Sequence, residues 1–330
     1  MSEKVTMQDI ARSLGVSTVT VSKALSGKDG VSDKVRAQIE EAARNMGYSY
    51  KKSETRDFCI GVVVSGKFGF SDNTFYSNLY RELVLKAGAK GCTCMMEIVA
   101  QEDESSCALP QVITGGRADG VIILGQMERA YIENIAKTQI PFVLLDFYDE
   151  TYPVDSVASD GMHGTYLLTE HLIERGHRNI AFVGSVNATS SILDRYLGYC
   201  KALIKHSMSV GDSVIIKDRD DRGRFVELDI PDTLPDAFVC NCDETALALV
   251  GRLRERGYDV PKDVSVVGFD DSSFAKLCFP QLTTYRVNIE KMAETAIGLL
   301  RRKMSGKKYI GGNTVIAGNI IERGSVADRR

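Results

Sequence analysis

The sequence predicts an α/β chain of 330 residues, in which a small helical N-terminal domain precedes a two-lobed, doubly wound domain. Residues 5–48 show helical periodicity with capping residues and no strand pattern. From residue 59 onward, short apolar runs typical of buried parallel strands alternate with helical stretches, and the alternation occurs twice. The predicted domains are residues 1–50, a short linker at 51–58, and residues 59–330.

Two short helices are predicted to meet at a glycine near the N-terminus. Thr6 and Asp9 have the spacing of a capping box, in which each side chain binds the backbone amide of the other residue. Gly15 supplies the backbone freedom for the turn, Ser17 caps the second helix, and a third helix begins near Ser32. This pattern predicts a helix-turn-helix whose second helix is shaped for the major groove of DNA.

Several sequence blocks resemble one known family. VTMQDIARSLGVSTVTVSKALSG, which starts at Val5, and VSDKVRAQIEEAARNMGY, which ends at Tyr48, resemble the headpiece of the lactose and galactose repressor family of bacterial transcription regulators. HLIERGHRNIAFVGS, DVSVVGFDDS and PQLTTYR follow in the family's order. The resemblance implies a helix-turn-helix headpiece, a periplasmic-binding-protein-like sensor domain, and a homodimer that binds double-stranded operator DNA.

The resemblance and the helix pattern together predict the residues that contact DNA. We expect Val19 to contact a thymine methyl group, Thr18 to contact base edges, and Lys23 to reach a guanine or a phosphate. Ser17 and Ser22 are expected to act as a helix cap and a phosphate contact. The full predicted set is Thr6, Ser17, Thr18, Val19, Thr20, Ser22 and Lys23.

Charge and hydropathy agree with this interpretation. Nine Lys or Arg and six Asp or Glu lie in residues 1–52, whereas the whole chain has a formal net charge of −3. The N-terminal domain is therefore the basic part, which favours phosphate contacts. No apolar run approaches the ~20 residues of a membrane span, and the polar N-terminus lacks a signal-peptide pattern. We expect a cytoplasmic protein without a membrane partner.

No sequence motif predicts a metal, a cofactor or a catalytic centre. Eight cysteines without an export signal indicate reduced thiols. No His or third Cys lies at metal-ligand spacing from the pairs Cys92 and Cys94 or Cys240 and Cys242. The chain has no G-x-G-x-x-G after the first strand, no P-loop and no nucleophile elbow. We expect no metal, no cofactor and no enzyme activity.

The elements predicted after residue 58 form two sets, one for each lobe. The predicted strands are 59–64, 94–99, 120–124 and 142–145 in the first set, and 179–183, 213–216, 237–240 and 264–269 in the second. The predicted helices are 76–90 and 128–137, then 161–175, 192–206 and 243–256. Because the carboxyl ends of parallel strands face a shared cleft, we expect a ligand site there.

Polar and aromatic residues at this predicted cleft are the candidate effector contacts. Asp270 follows a buried strand, and Arg195 lies near the start of a helix, where its planar side chain can donate to hydroxyl or carbonyl oxygens. The resemblance implies that both hold the effector. The full set is Phe75, Tyr76, Asp146, Asp160, Ser191, Arg195 and Asp270. For Asp146, Asp160 and Ser191 the alternative is a helix cap or a strand-end hydrogen bond.

The sequence departs from the family's pattern in three segments. Cys242 precedes Asp243 at a position where the family often has an amide or a glycine. Val287 lies at a position where the family often has a glutamine. Residues 217–235 form a shorter segment than usual, and we expect it to lack the aromatic residue that stacks on the effector. Residues 49–57 contain no Pro, Ala or Leu, so we do not expect this linker to insert a wedge into the minor groove.

These observations predict a dimeric transcription regulator that responds to a small molecule. We expect a repressor of a carbohydrate-utilisation operon whose effector is a sugar or a sugar derivative. One alternative is the same architecture sensing a purine or a nucleoside. The other is a sugar-binding or sugar-processing protein with an appended helical domain.

Overall fold

The chain divides into two compact units, Met1–Asp57 and Phe58–Arg330. The computed structural model describes residues 5–25, 30–46, 48, 58–68, 74–211, 214–220, 223–306 and 308–330. The linker predicted at 51–58 lies outside these residues except for Phe58, which is the first residue of a strand in the second unit.

Three helices with a shared core form the described part of the first unit. They are α1 (Met7–Leu14), α2 (Thr18–Leu25) and α3 (Asp33–Asn45). Gly15 adopts a φ of 63° after α1, in the left-handed region that favours glycine. Ile10, Val21 and Ile39, one from each helix, are fully buried against one another. The predicted three-helix headpiece is confirmed.

The first lobe of the second unit contains a six-stranded parallel sheet. Its strands are β1 (Phe58–Ser65), β2 (Cys92–Val99), β3 (Gly120–Leu124), β4 (Phe142–Leu145), β5 (Ser156–Ser159) and β11 (Asn313–Ile316). The spatial order is β11-β5-β4-β3-β1-β2. Its helices are α4 (Phe75–Gly88), α5 (Gln101–Ser105), α6 (Gln111–Thr114), α7 (Arg129–Lys137) and α12 (Ile289–Met304).

The second lobe contains a sheet of the same size. Its strands are β6 (Ile180–Val183), β7 (Ile215–Ile216), β8 (Ala237–Cys240), β9 (Ser265–Asp270), β10 (Thr283–Arg286) and β12 (Asn319–Ile321). The spatial order is β12-β10-β9-β8-β6-β7, and only β12 runs antiparallel to its neighbour among these described strands. Its helices are α8 (Gly161–Glu174), α9 (Ser190–Lys205), α10 (Asp243–Glu255) and α11 (Ser273–Leu277).

Helices cover both faces of each sheet, which explains why the strands read as continuous apolar runs. All five residues of β3 are buried. In the first lobe, Leu83 of α4 packs on one face of the sheet and Ile132 of α7 on the other. In the second lobe, Leu172 of α8 and Leu249 of α10 do the same. The predicted doubly wound, two-lobed fold is confirmed.

The chain crosses between the lobes at three places in the described structure. The crossings lie between β5 and α8, between β10 and α12, and between β11 and β12. The lobes do not follow one another along the chain as predicted, because α12 and β11, which were not predicted, return to the first lobe. Three adjacent crossings can act as a hinge, because the two sheets share no hydrogen-bonded strand pair.

Candidate functional site

The first candidate site is the exposed face of α2. Ser17 caps this helix, since its Oγ accepts a hydrogen bond from the Thr20 backbone amide at 3.0 Å. Thr20 is engaged in the same turn, with its Oγ1 2.8 Å from the Ser17 Oγ. Thr18, Val19 and Lys23 are exposed, and the Val19 side chain leaves 65% of its residue surface accessible. An exposed valine flanked by polar residues suits contact with base edges.

Thr6 and Asp9 form the predicted capping box at the start of α1. The Thr6 amide donates to the Asp9 carboxylate at 2.9 Å, and the Asp9 amide donates to the Thr6 Oγ1 at 3.4 Å. The Thr6 side chain therefore orients the first helix. Ser22, the remaining member of the predicted DNA-binding set, is half-buried on α2.

The second candidate site is a cavity of about 80 Å³ between the two lobes. Of the seven predicted effector residues, six line it: Phe75, Tyr76, Asp146, Ser191, Arg195 and Asp270. The other lining residues were not predicted as effector contacts; they are Thr74, Thr189, Ile192, Arg219, Phe225, Asn241, Cys242, Glu244, Ser272 and Phe274. Asp160 lies outside this lining and caps α8, where it accepts a hydrogen bond from the His163 amide at 3.1 Å.

Arg195 is the central cation of the cavity and leaves only 5% of its surface exposed. Its Nη1 donates to the backbone oxygen of Asn241 at 2.6 Å, and its guanidinium lies 4.1 Å from the centre of the Phe269 ring. Its Nη2 lies 3.5 Å from the Asp270 Oδ1, a charge contact without a hydrogen bond. The Nε has no hydrogen-bond partner among the described residues, so it can donate to a ligand.

Asp146 and Asp270 approach the cavity from opposite lobes. Asp146 follows β4, and Asp270 ends β9; their φ angles of 69° and 111° turn the chain sharply at the strand ends. The Tyr76 hydroxyl donates to the Asp146 Oδ2 at 3.1 Å. Within the described part of the chain, the Oδ1 atoms of both aspartates are buried without a hydrogen bond. Three residues that line the cavity therefore hold two unpaired acceptors and one unpaired donor.

Burial controls the protonation of both carboxyl groups. Desolvation raises the pKa of Asp146 to about 6, although the Arg195 charge and the Tyr76 hydroxyl oppose the shift. Desolvation also raises the pKa of Asp270 well above its usual value, with Arg195 again opposing. Burying a polar group without a hydrogen-bond partner is unfavourable, so these unpaired groups indicate a ligand site.

Arg219, Phe225 and Cys242 form one wall of the cavity. The Arg219 guanidinium lies 4.5 Å from the centre of the Phe225 ring and 3.8 Å from the Cys242 sulfur. The expectation that the shortened segment lacks an aromatic residue at the site is wrong, since Phe225 lines the cavity. The segment that contains Arg219 and Phe225 has no periodic pattern, so the sequence does not indicate that these residues reach the cavity.

Asp146→Asn is expected to stabilise the ligand-free protein by about 1–3 kcal/mol at pH 8. The folded protein holds the Asp146 proton more tightly than the unfolded chain, whose pKa is near 3.8. The wild type therefore loses relative stability as pH rises through the range from about 4 to 6, whereas the variant does not. Urea denaturation at several pH values measures the difference, with Glu133→Gln, an exposed change on α7, as the control. A constant difference across this range would contradict the assignment.

Two family models match the chain. One, described as bacterial regulatory proteins of the lacI family, matches residues 6–50. The other, described as a periplasmic binding protein-like domain, matches residues 169–326. The chain belongs to the lacI family of bacterial regulatory proteins. The resemblance found in the sequence is thereby confirmed, and the protein is a DNA-binding transcription regulator.

Curated relatives match over nearly the whole chain. Catabolite control protein A of Priestia megaterium is 27% identical over 316 residues, covering 91% of this chain and 93% of that protein. The HTH-type transcriptional repressor CytR of Escherichia coli (strain K12) is 27% identical over 334 residues, covering 97% of this chain and 96% of the repressor. These lacI-family relatives are regulators of transcription.

Solved structures of transcription regulators have the same fold. A complex of the transcriptional regulator CelR with cellobiose gives a TM-score of 0.69 at 24% identity, covering 97% of this chain and 99% of that chain. A lac repressor dimer bound to operator and the anti-inducer ONPF gives a TM-score of 0.68 at 23% identity, covering 98% of this chain and 100% of that chain.

The described helices include none with the length and apolar character of a membrane span.

Proposed function

We propose that this lacI-family protein is a homodimeric repressor that binds a pseudo-palindromic operator in the cytoplasm and changes its DNA affinity when a small polyhydroxylated molecule enters the cavity. A two-fold dimer presents two copies of α2 to successive major grooves. The protein acts by binding, without turnover of the ligand. The regulated genes are those of carbohydrate use.

The unpaired atoms of the cavity carry the ligand part of this proposal. The Arg195 Nε is a donor, and the Oδ1 atoms of Asp146 and Asp270 are acceptors, all buried and without a hydrogen bond among the described residues. Neighbouring hydroxyl groups of a sugar can each accept one hydrogen bond and donate another, so they match this set. Because Asp146 belongs to the first lobe and the other two residues to the second, a bound sugar would hold the lobes closed.

Proteins of the same fold support a sugar as ligand. A lacI-family regulator from Enterococcus faecium was solved with bound ribose, and CelR was solved with cellobiose. A purine or nucleoside is the second candidate, because four aromatic residues also line the cavity and can stack on a base: Phe75, Tyr76, Phe225 and Phe274.

A thermal-shift screen of neutral sugars, phosphosugars, purines and nucleosides tests the ligand, and operator release in a gel-shift assay tests its effect. We expect a sugar to raise the melting temperature and to change operator affinity. Stabilisation by a purine alone would favour the second candidate. Conversion of the ligand by the purified protein would contradict the proposal in favour of an enzyme.

Val19→Ala and Lys23→Ala are expected to weaken operator binding in different ways. Val19→Ala should change the preferred base at one position by ~1 kcal/mol, because a methyl contact is lost. Lys23→Ala should weaken binding to all sequences and reduce the log-log salt slope by about one, because a phosphate contact is lost. Fluorescence anisotropy over a salt series measures both. Unchanged binding by both variants would show that α2 is not the recognition helix.

A further inference from the structure

Acidic residues outnumber arginines around the cavity. Asp146, Asp270 and Glu244 line it together with Arg195 and Arg219. Two more buried acids contact this lining from behind. Asp218 accepts hydrogen bonds from Arg219 and Asn241, and Asp243 accepts them from Ser272. The described wall and its immediate backing therefore contain five acids and two arginines, an excess of acidic side chains at a buried site.

The two acids behind the wall, Asp218 and Asp243, already accept hydrogen bonds from neighbouring residues. The Asp218 Oδ2 accepts from the Arg219 Nη1 at 2.7 Å and from the Thr245 hydroxyl at 2.8 Å. Asp243 accepts from the Ser272 amide at 2.7 Å and from the Thr284 hydroxyl at 2.6 Å. Arg219 is thus neutralised within the wall. Arg195 alone remains to balance the acids that face the cavity.

The two facing aspartates are left short of donors. Asp146 receives the Tyr76 hydroxyl on one oxygen, and Asp270 has Arg195 at 3.5 Å, yet each keeps a buried Oδ1 without a hydrogen bond among the described residues. Glu244 is half-buried at the same wall, and burial raises its pKa. Closing the lobes disfavours the charged form of both carboxyl groups unless a donor or a cation lies between them.

We propose that the natural effector is a cationic polyol, an amino sugar or aminated sugar derivative, whose protonated amine lies between Asp146 and Asp270. An ammonium group offers three donors and a positive charge, whereas a hydroxyl offers one donor and must also be satisfied as an acceptor. The Arg195 Nε then donates to a ring or hydroxyl oxygen of the same molecule. This inference rests on the proposed function, since it names the class of ligand for the same cavity.

Matched pairs of sugars test this proposal by isothermal titration calorimetry at about pH 7, where simple amines keep most of their charge. The pairs are D-glucosamine with D-glucose, D-galactosamine with D-galactose, and D-mannosamine with D-mannose. We expect the amino member of at least one pair to bind about tenfold more tightly than its hydroxyl partner. Titration in two buffers of different ionisation enthalpy should show proton release near pH 6, because a bound cation lowers the pKa of Asp146.

Asp146→Asn is the decisive variant, because it keeps the shape of the side chain and removes its charge. The variant should bind the amino sugar about 30-fold more weakly than the wild type does, and the neutral partner less than about threefold more weakly. The exposed change Glu133→Gln, in the same lobe, should alter neither. A denaturation curve confirms that the variant is folded.

Two outcomes would overturn this inference. The first is that neutral sugars bind as tightly as their amino partners; if those sugars also alter operator affinity, the proposed function stands while the cationic ligand fails. The second is that no amino sugar binds. If nucleosides then bind instead, the sugar ligand of the proposed function fails as well.

Discussion

Gly198→Ala is expected to destabilise the protein by about 3 kcal/mol, because it places a methyl group between two tightly crossing helices. Gly198 lies on α9, where this helix packs against α8. A Cβ atom at this position would overlap the carbonyl oxygen of Met162 and lie 3.0 Å from the Tyr166 nitrogen. Both atoms belong to the backbone of α8, so no side-chain rotation relieves the overlap. The helices must separate, and the second lobe loses packing.

Gly251→Ala is the matched control for this prediction. Gly251 lies on α10 of the same lobe, and a Cβ atom there would have no neighbour within 4 Å. Alanine at an exposed helical site should stabilise the protein by about 0.5–1 kcal/mol relative to glycine. Chemical denaturation of the three proteins measures both effects. Equal stability of the two variants would show that the α8–α9 crossing is looser than the structure indicates.

Local chemistry explains which parts of the fold were predictable. Thr6, Gly15 and Ser17 act within a few residues of their own positions, so a capping box, a turn and a helix cap could be read from spacing alone. Strands buried on both faces, such as β4 and β8, leave uninterrupted apolar runs whose ends matched the predictions.

The missed elements depend on contacts distant in sequence. β11 pairs with β5, more than 150 residues earlier in the chain, and its side chains alternate between exposed and half-buried, which is a weak strand signal. α12 has a clear apolar stripe that includes Met292, Ala296 and Leu300, yet only the second crossing of the chain, between β10 and α12, explains why it belongs to the first lobe. Periodicity identifies an element but not the sheet that it joins.

The candidate site likewise contains residues that the sequence could locate and residues that it could not. Strand ends locate Asp146 and Asp270, because carboxyl ends of parallel strands meet at one edge of a sheet. Arg219 and Phe225 lie outside the strands and helices, pair with each other in a single β-bridge, and reach the cavity only through the tertiary fold. Asp160 shows the limit of residue type as a guide, since an aspartate before a helix is equally suited to bind a ligand and to cap the helix.

Asp270→Asn is expected to lower effector affinity by ~2–4 kcal/mol, or about 30-fold to 1000-fold. The variant replaces the carboxyl group beside Arg195 with an amide, so one acceptor oxygen becomes an NH2 donor that faces the ligand. The fold should be retained, because burial already disfavours the Asp270 carboxylate and asparagine tolerates the positive φ of this position. Calorimetric titration with the sugar found in the screen measures affinity, and thermal denaturation measures the fold.

Asp160→Asn separates a ligand contact from a helix cap. Asparagine caps helices as well as aspartate does, so this variant should keep the hydrogen bond from the His163 amide and the stability of α8. Because Asp160 lies outside the described lining of the cavity, effector affinity should stay within about twofold of the wild type. If Asp160→Asn lowered effector affinity as much as Asp270→Asn does, the ligand would extend beyond this cavity towards α8. If Asp270→Asn instead unfolded the protein, the Asp270 carboxylate would serve the strand end, and Arg195 would bind the effector without it.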